Sequence, residues 1–192
     1  MKRVDLIYHH PVFQERFQAL QAAERDRRFC RHTLEHLLDV ARLMYIYALE
    51  EQYPVSKELI YATALLHDIG RMDQIECGTP HEQAGAALCE IILPECGYSQ
   101  AEIAQIKAAI LCHRSGVRKT RRDKDTAQTI NQMIEQTDGE NGGCSGENQY
   151  LFQYRLGELL YRADKQSRNC YACAEIQACN WDSGKMNLTI EY

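Results

Sequence analysis

Apolar residues recur at helical spacing through most of the chain. Residues 29–50 carry one apolar set every three to four positions and a second set on the opposite side, so the pattern predicts a helix that is buried nearly all round. Residues 57–70 predict another buried helix, with Ser56 as its N-cap and Gly70 at its end. We expect both helices at the centre of the fold.

Proline, serine and glycine mark the helix boundaries further along the chain. Pro80 introduces a helical pattern that Pro94 ends, and Ser99 caps a second pattern that Gly116 closes. Helical periodicity then returns late in the chain, over residues 149–167.

The remaining regions show little periodicity. Residues 137–148 contain four glycines and a single apolar residue, which indicates a loop. Strand-like alternation is confined to the tail KMNLTIEY, and the chain shows neither an internal repeat nor an interdomain linker. We therefore predict one all-α domain over residues 1–192, with its core at about 29–168 and a short irregular, cysteine-rich segment at about 169–192.

The composition is that of an ordinary globular protein with an acidic balance. Of the 192 residues, 45% are hydrophobic and 26% are charged, and 22 Lys and Arg oppose 27 Asp and Glu for a net charge of -5. This balance argues against nonspecific binding to nucleic acid or anionic membranes. The longest apolar run, LMYIYAL, is far shorter than the ~18 residues of a membrane helix, and the first residues lack the apolar stretch of a secretory signal. We expect a cytoplasmic protein with no membrane partner.

The stretch ALLHDIG places His67 and Asp68 side by side in apolar surroundings. Burying an imidazole with a carboxylate is unfavourable unless a partner offsets the loss of hydration, and a divalent cation would do so. Nitrogen and oxygen ligands of this kind suit zinc, iron, manganese and similar ions. A simpler interpretation, which the pair in isolation favours, is that both residues cap their helix. The other positions available as ligands are His36, His81, His113 and Asp164.

Five short motifs together resemble the HD superfamily of metal-dependent phosphohydrolases. The motif HLLDVARLM places His36 four residues before a Val-Ala pair, as the first histidine of that family usually stands. The His-Asp pair that names the family lies in LLHDIGR, two further histidine segments are PHEQAGA and LCHRSG, and the closing aspartate lies in YRADKQS. The resemblance spans residues 29–167, and the combination is specific although each motif alone is weak.

The resemblance implies an HD-domain helical bundle with one or two divalent metal ions, which could be Fe, Mn, Zn, Co or Mg. It assigns the first ion to His36, His67, Asp68 and Asp164. It also implies that His81 and His113 extend the site toward a second ion bridged by Asp68. From the residues alone, His81 could equally be exposed near the Pro80 turn, and His113 could be a favourable cation at a helix C-terminus.

Three basic residues are candidates to bind a substrate phosphate: Arg71, Arg114 and Lys165. Arg71 stands where the family often has Lys, and its guanidinium suits phosphate oxygens, although a surface ion pair to Asp73 or Glu76 is the simpler alternative. Arg114 opens the segment RSGVRKTRRDKD, in which six basic residues oppose two acidic ones. That segment could gather an anionic substrate or form a solvated loop.

The three histidines outside the six ligand positions are His9, His10 and His32. His32 lies one predicted turn before His36, so the two would share a helix face and could chelate a metal as a pair. The Val-Ala match favours His36 as the ligand, which leaves His32 as a support for the ligands, a contact to the substrate or a structural histidine. We expect His9 and His10 to be exposed.

The nine cysteines are an odd number and too dilute for a disulfide scaffold. Cys170, Cys173 and Cys179 have a C-x2-C-x5-C spacing, and Cys30 is a candidate fourth ligand because it is predicted to lie two turns before His36 on the same helix. We therefore hypothesise a structural zinc or an iron–sulfur cluster held by these four cysteines. Reduced thiols packed as small apolar groups are the alternative.

These expectations favour hydrolysis of a small phosphate ester, a nucleotide or a phosphomonoester, by metal-activated water. Asp68 or a nearby histidine such as His32 would transfer the proton, and Arg71 would steady the phosphate charge. A different class also stays open: a metal-stabilised sensor that binds a phosphorylated ligand without turnover. A weaker alternative is a sensor that binds nucleic acid. A third class is an enzyme that activates oxygen at a di-iron site. The sequence also leaves homo-oligomerisation open.

Overall fold

A computed structural model describes residues 1–113 and 146–192 of the chain. Its helices are α1 (Lys2–His9), α2 (Pro11–Ala23), α3 (Leu34–Glu50), α4 (Lys57–Leu66), α5 (Arg71–Cys77), α6 (His81–Glu95), α7 (Gln100–Cys112) and α8 (Gly146–Gln166). The side chains of α8 are described from Arg155 onward. Two short 3-10 turns follow, Cys170–Ala172 and Ile176–Ala178. The described residues contain no strand, which confirms the all-α prediction.

The core forms between α3, α4, α6, α7 and α8. α8 packs against α7 and α3, α6 packs against α7, and α4 packs against α3. Fully buried side chains from all five helices fill the interior, among them Tyr47, Ile60, Ile92, Ile106 and Leu160. Within the described residues, no helix is long and apolar enough to cross a membrane.

Serine caps begin two of these helices where the sequence predicts them. The Ser56 hydroxyl accepts a hydrogen bond from the Leu59 amide at 3.1 Å, and α4 starts there. Ser99 and Glu102 form a complete capping box at the start of α7, in which each side chain accepts from the other residue's backbone amide. α4 ends at Leu66, so the His-Asp pair lies in the turn that follows.

Other boundaries differ from the prediction. α3 begins at Leu34 rather than at residue 29, because Thr33 accepts the His36 amide at 3.4 Å and caps the helix there. The prediction that His32 and Cys30 share this helix with His36 is therefore wrong. α6 runs one residue past Pro94. α8 begins inside the predicted loop, and both the rest of that loop and Gly116 lie outside the described residues.

The two N-terminal helices have no counterpart in the sequence prediction. α1 and α2 bury apolar side chains that include Ile7 and Phe13. His10, expected to be exposed, is buried because it caps α2: its Nδ1 accepts from the Val12 amide at 3.2 Å, and its Nε2 lies 3.0 Å from Glu95. His9 is exposed, as expected.

Candidate metal centre

Six buried side chains converge where the starts of α3 and α6 meet the ends of α4, α7 and α8. They are His36, His67, Asp68, His81, His113 and Asp164. These are the six positions that the sequence singled out as possible ligands. Because His81 is buried, the alternative that it is an exposed turn residue is wrong.

Gly70 brings the turn after α4 against the start of α6. The approach leaves no room for a β-carbon between this turn and the backbone of His81 and Gly85. Glycine is the residue that permits so close a contact between two backbones. As a result, Asp68 lies beside His81 although α5 separates them along the chain.

The first group of ligand atoms lies between α3, the turn after α4, and α8. His36 Nε2 is 3.5 Å from Asp164 Oδ1 and 3.6 Å from Asp68 Oδ2. His67 Nε2 is 2.9 Å from Asp68 Oδ2 and 3.8 Å from Asp164 Oδ1. All four side chains offer one ligand atom within 4.8 Å of the others, which is the separation expected around one metal ion.

A second group shares Asp68 with the first. The Oδ1 atom of Asp68 is 3.5 Å from His81 Nε2, and His81 Nε2 is 3.1 Å from His113 Nε2. One carboxylate oxygen therefore faces each group. This arrangement would let Asp68 contribute a ligand atom to each group.

Hydrogen bonds fix how two of the histidine rings are turned. Nδ1 of His67 lies 2.7 Å from the carbonyl oxygen of Ala64, and Nδ1 of His113 contacts the carbonyl oxygen of Ile110. A carbonyl oxygen can only accept, so each Nδ1 carries the proton. When either ring is neutral, its lone pair is on Nε2, which faces the other ligands.

Side chains hold the rings of His81 and His36 in the same orientation, with Nδ1 bonded outward and Nε2 facing the ligand groups. His81 Nδ1 lies 2.7 Å from Gln74 Oε1. His36 Nδ1 lies 3.1 Å from Ser167 Oγ, and this hydroxyl donates its own proton to the Asp164 carbonyl oxygen at 3.0 Å, so it accepts from His36. All four imidazoles thus present Nε2 inward, as metal-binding histidines supported by a second hydrogen bond do.

The charges of the cluster favour a cation at its centre. Burial lowers the pKa of His36 and of His113 to about 4, so both rings are neutral at pH 7. Burial alone would raise the pKa of Asp68 and of Asp164, but the surrounding basic groups hold both well below the usual range. Burial alone would lower the pKa of His67, yet the two carboxylates raise it to about 9. Two ionised acids in a buried site require a nearby positive charge.

The donor set fits a divalent transition metal. His67 Nε2 is fully buried and makes no hydrogen bond, although a carboxylate oxygen is 2.9 Å away. A buried nitrogen without a hydrogen bond is unfavourable unless it has another partner. Neutral imidazoles and carboxylates in one buried group are the ligands that such ions prefer.

Comparison with known proteins agrees with this geometry. The HD domain family matches residues 33–168. The chain belongs to the HD domain family. An uncharacterized protein of Clostridium beijerinckii is 40% identical over 169 residues, which cover 88% of this chain and 85% of that protein. The crystal structure of a "predicted HD superfamily hydrolase" from an uncultured Thermotogales bacterium aligns at a TM-score of 0.55, with 17% identity over 94% of this chain and 82% of that one. This second likeness shows a shared fold.

Two basic residues predicted to bind phosphate lie at the edge of the HD centre. Arg71 Nε donates to Asp68 Oδ1 at 3.1 Å, and the guanidinium is partly exposed. Arg71 pairs with Asp68 rather than with Asp73 or Glu76, and Arg16 is the basic residue near those two acids. The Lys165 ammonium contacts Asp164 Oδ2.

Sequence reasoning missed the partner of His32. Glu24 is buried, and it accepts from the His32 amide at 2.8 Å and from His32 Nδ1 at 2.7 Å. His32 Nε2 is then directed toward Asp68 Oδ2, at 3.6 Å. Glu24 precedes the stretch that resembles the HD superfamily, so no motif pointed to it.

Sequence reasoning also missed Arg168. This buried side chain donates to His36 Nε2 at 2.9 Å and to the Arg31 carbonyl oxygen at 2.8 Å. The same His36 lone pair would bind a metal, so the guanidinium has to turn aside when His36 acts as a ligand. Its place one helical turn after Asp164 is the signal that could have found it.

The centre opens into a cavity of about 440 Å³. Basic side chains line much of it: Arg27, Arg71, Lys165, Arg168 and Lys185. A cavity of this size suits a small ligand, and its charge suits an anionic one. Arg114, the third predicted phosphate contact, and the basic segment that it opens lie outside the described residues.

The four cysteines singled out by the sequence border the same cavity, and each is a free thiol. Cys30 lies in the irregular stretch before α3, and the other three lie in the C-terminal segment. Among the described residues, the groups of three or more ligand atoms within 4.8 Å are the two His and Asp groups. The cysteine sulfurs are therefore neighbours without the close spacing of a single-ion site.

Proposed function

We propose that this chain is a metal-dependent phosphohydrolase that cleaves a small phosphate ester, such as a nucleotide or a phosphomonoester. The observation that carries the proposal is that two buried ligand groups share Asp68 at the base of a cavity lined by basic side chains. Membership of the HD domain family supports this reaction class, and the name of the Thermotogales protein, a predicted hydrolase, agrees with hydrolysis. The proposed cofactor is one or two divalent ions of Fe, Mn, Zn, Co or Mg.

The proposed ligands of the first ion are His36, His67, Asp68 and Asp164. His81 and His113 would hold a second ion together with Asp68. Ions bound there supply a Lewis acid that polarises a phosphoryl oxygen and lowers the pKa of a coordinated water from ~15.7 toward ~7. The hydrogen bonds on Nδ1 of each histidine keep the ligand set oriented before substrate arrives.

Arg71 and Lys165 would bind the phosphate. Each has a charged group that contacts a ligand carboxylate and also lines the cavity. They are therefore close enough to the centre to contact a phosphate whose other oxygens face the ligand groups. Positive charge placed where negative charge develops is the largest contribution that such side chains make to phosphoryl transfer.

His32 would hold and transfer a proton at Nε2. Its Nδ1 donates to Glu24, so Nε2 is free to accept a proton, and it faces Asp68 Oδ2. Glu24 fixes the ring and stabilises the cationic form that exists after the transfer, as a carboxylate does for a histidine base. His32 also lines the cavity, which gives it access to a substrate.

Phosphate release from a mixed panel of nucleotides and phosphomonoesters, with each divalent ion added in turn, tests the proposal. The Asp68→Asn variant should abolish any activity found. Asp39→Asn is the matched control, because the side chain of Asp39 is half exposed on α3 and, among the described residues, pairs with Arg42. Saturable binding of a phosphorylated ligand with no turnover under any metal would contradict the enzyme and favour the sensor.

A further inference from the structure

Four cysteines from two short turns and the stretch before α3 lie in the wall of the HD cavity. Cys170 begins the first 3-10 turn, and Cys173 ends it through a hydrogen bond from its amide to the Cys170 carbonyl at 3.2 Å. Cys179 follows the second turn in the same way, with its amide bonded to Ile176 at 3.3 Å. Cys30 comes from the stretch before α3, 140 residues before Cys170 in the chain.

Contacts between the two stretches hold these cysteines near one another. Arg168, which directly precedes the C-terminal segment, donates to the Arg31 carbonyl oxygen at 2.8 Å. The Arg28 guanidinium pairs with Glu175, between the second and third cysteines of the segment. All four cysteines line the same cavity. Burial raises the pKa of Cys170, a backbone hydrogen bond at Asn187 opposes this, and the nearby thiols of Cys30, Cys179 and Cys173 raise it further.

The C-terminal segment lacks a hydrophobic core that could explain its ordered turns. Of residues 169–192, Cys170 is the one that is buried. The large apolar side chains Leu188 and Ile190 are exposed, as are Tyr171 and Tyr192. Irregular segments that bury so little apolar surface need another source of stability, and in cysteine-rich segments this is commonly a bound metal centre.

The spacing of the sulfurs favours a centre larger than one zinc ion. A tetrahedral zinc with Zn–S bonds of about 2.3 Å holds its four sulfurs about 3.8 Å apart. No three of the four described cysteines reach a mutual spacing of 4.8 Å. An iron–sulfur cluster has several irons between its cysteine ligands, so it accepts sulfurs that are further apart. The basic side chains Arg27, Lys165, Arg168 and Lys185 line the same cavity and would offset the negative charge of such a cluster.

We propose that Cys30, Cys170, Cys173 and Cys179 hold an iron–sulfur cluster that fastens the C-terminal segment to the stretch before α3. The cluster is structural, and it is distinct from the His and Asp centre. The cluster lines one wall of the cavity, and the HD ligands line another wall of the same cavity. The proposal does not depend on the hydrolase activity, because it concerns a different set of ligands.

The test is the content of iron, zinc and acid-labile sulfide in the full chain purified without oxygen. We expect about two to four sulfides per chain, with iron to match and the broad visible absorption of an iron–sulfur protein. Cys30→Ser and Cys179→Ser should each lose most of the sulfide and the visible absorption. Both positions are away from the buried core, so these variants should keep the helical circular dichroism of the wild type.

Two controls separate this cluster from other sources of iron. Cys77→Ser changes an exposed cysteine at the end of α5 and should retain the full sulfide content. Asp68→Asn should lose iron bound by the HD ligands but keep the sulfide. Limited proteolysis should cut residues 169–192 much faster in Cys179→Ser than in Cys77→Ser.

Three results would overturn the cluster. One is zinc without sulfide in the wild type, which would make the site a single-ion site. Another is a wild type that contains no sulfide even after reconstitution with ferrous iron and sulfide. The third is equal sulfide in the wild type and in the Cys30→Ser and Cys179→Ser variants.

Discussion

Gly70 lies so close to His81 that a β-carbon on the glycine would stand 2.3 Å from the His81 carbonyl oxygen and 2.5 Å from the Gly85 amide nitrogen. The backbone of Gly70 itself is ordinary, with φ of -79°, so the requirement for glycine is steric. The contact joins the turn that carries His67 and Asp68 to the helix that begins with His81. It therefore determines how far the two groups of ligands are from each other.

Replacement of Gly70 by alanine should separate the two ligand groups. Because backbone atoms block the new methyl group, the turn has to move, and we expect a loss of about 1 to 3 kcal/mol in the free energy of unfolding. Metal affinity at the second group should fall as well. Urea denaturation and metal titration measure the two effects.

Gly85→Ala is the matched control for this prediction. A β-carbon at Gly85 would meet its nearest atom, the Leu66 carbonyl oxygen, at 3.4 Å, which is an ordinary contact. Alanine also favours a helix by up to about 1 kcal/mol over glycine. Gly85→Ala should therefore leave stability and metal binding near the wild-type values, and a loss equal to that of Gly70→Ala would refute the steric explanation.

The two ligand groups should respond differently to loss of their own acids and histidines. Asp164→Asn removes a ligand of the first group only, and His113→Ala removes one of the second group only. Asp68→Asn removes a ligand of both. Titration with Mn or Zn, followed by calorimetry, should show loss of one binding event in each of the first two variants and of both in Asp68→Asn. If Asp68→Asn retained one metal-binding event with wild-type affinity, Asp68 would not be a ligand of both groups.

Much of this centre was predictable because each ligand stands beside a local signal. His67 and Asp68 follow a helix with a clear serine cap, and glycine closes their turn. The start of α3 was misplaced because the apolar period continues back to residue 29, whereas Thr33 caps the helix. Periodicity reports which side chains can be buried, and the cap decides where the helix begins.

Glu24 could not be predicted, since its role depends on a contact that periodicity does not reveal. It lies eight residues before His32, in a stretch that turns back on itself, and its carboxylate meets the His32 ring only in the folded chain. The same reason explains why His32 was placed on the wrong element. Nothing in one sequence distinguishes a buried glutamate after a helix from an exposed one.

The free energy of unfolding should depend on pH through Glu24. Burial alone would raise the pKa of Glu24, but the hydrogen bonds from His32 and the charges of His32 and Arg27 lower it from 4.5 to about 2. A carboxyl group with a lowered pKa in the folded state contributes stability that is fully present above 4.5 and is lost as the pH falls toward 2. The free energy of unfolding of Glu24→Gln should be about 2 to 3 kcal/mol lower than that of wild type at pH 7. This difference should shrink as the pH falls from 4.5 to 2.

Urea denaturation at several pH values measures this dependence. Glu90→Gln is the control, because Glu90 is exposed and its ion pair with Lys107 is on the surface. That variant should differ little from wild type at any pH. A difference between wild type and Glu24→Gln that stayed constant down to pH 2 would mean that the carboxylate charge of Glu24 is not what stabilises the fold.

Arg71 should matter for substrate binding and for turnover, in a way that depends on its charge. Its guanidinium lies at the edge of the HD centre, 3.1 Å from Asp68, and it lines the cavity. Arg71→Ala should raise KM and lower kcat for any phosphate ester that the protein hydrolyses, by about tenfold or more in kcat/KM, which corresponds to about 1.4 kcal/mol. Arg71→Lys keeps the charge but not the fork of donors, so it should recover part of the loss. Arg42→Ala removes an exposed arginine on α3 and should leave KM and kcat unchanged. Wild-type kinetics in Arg71→Ala would mean that the phosphate binds elsewhere in the cavity.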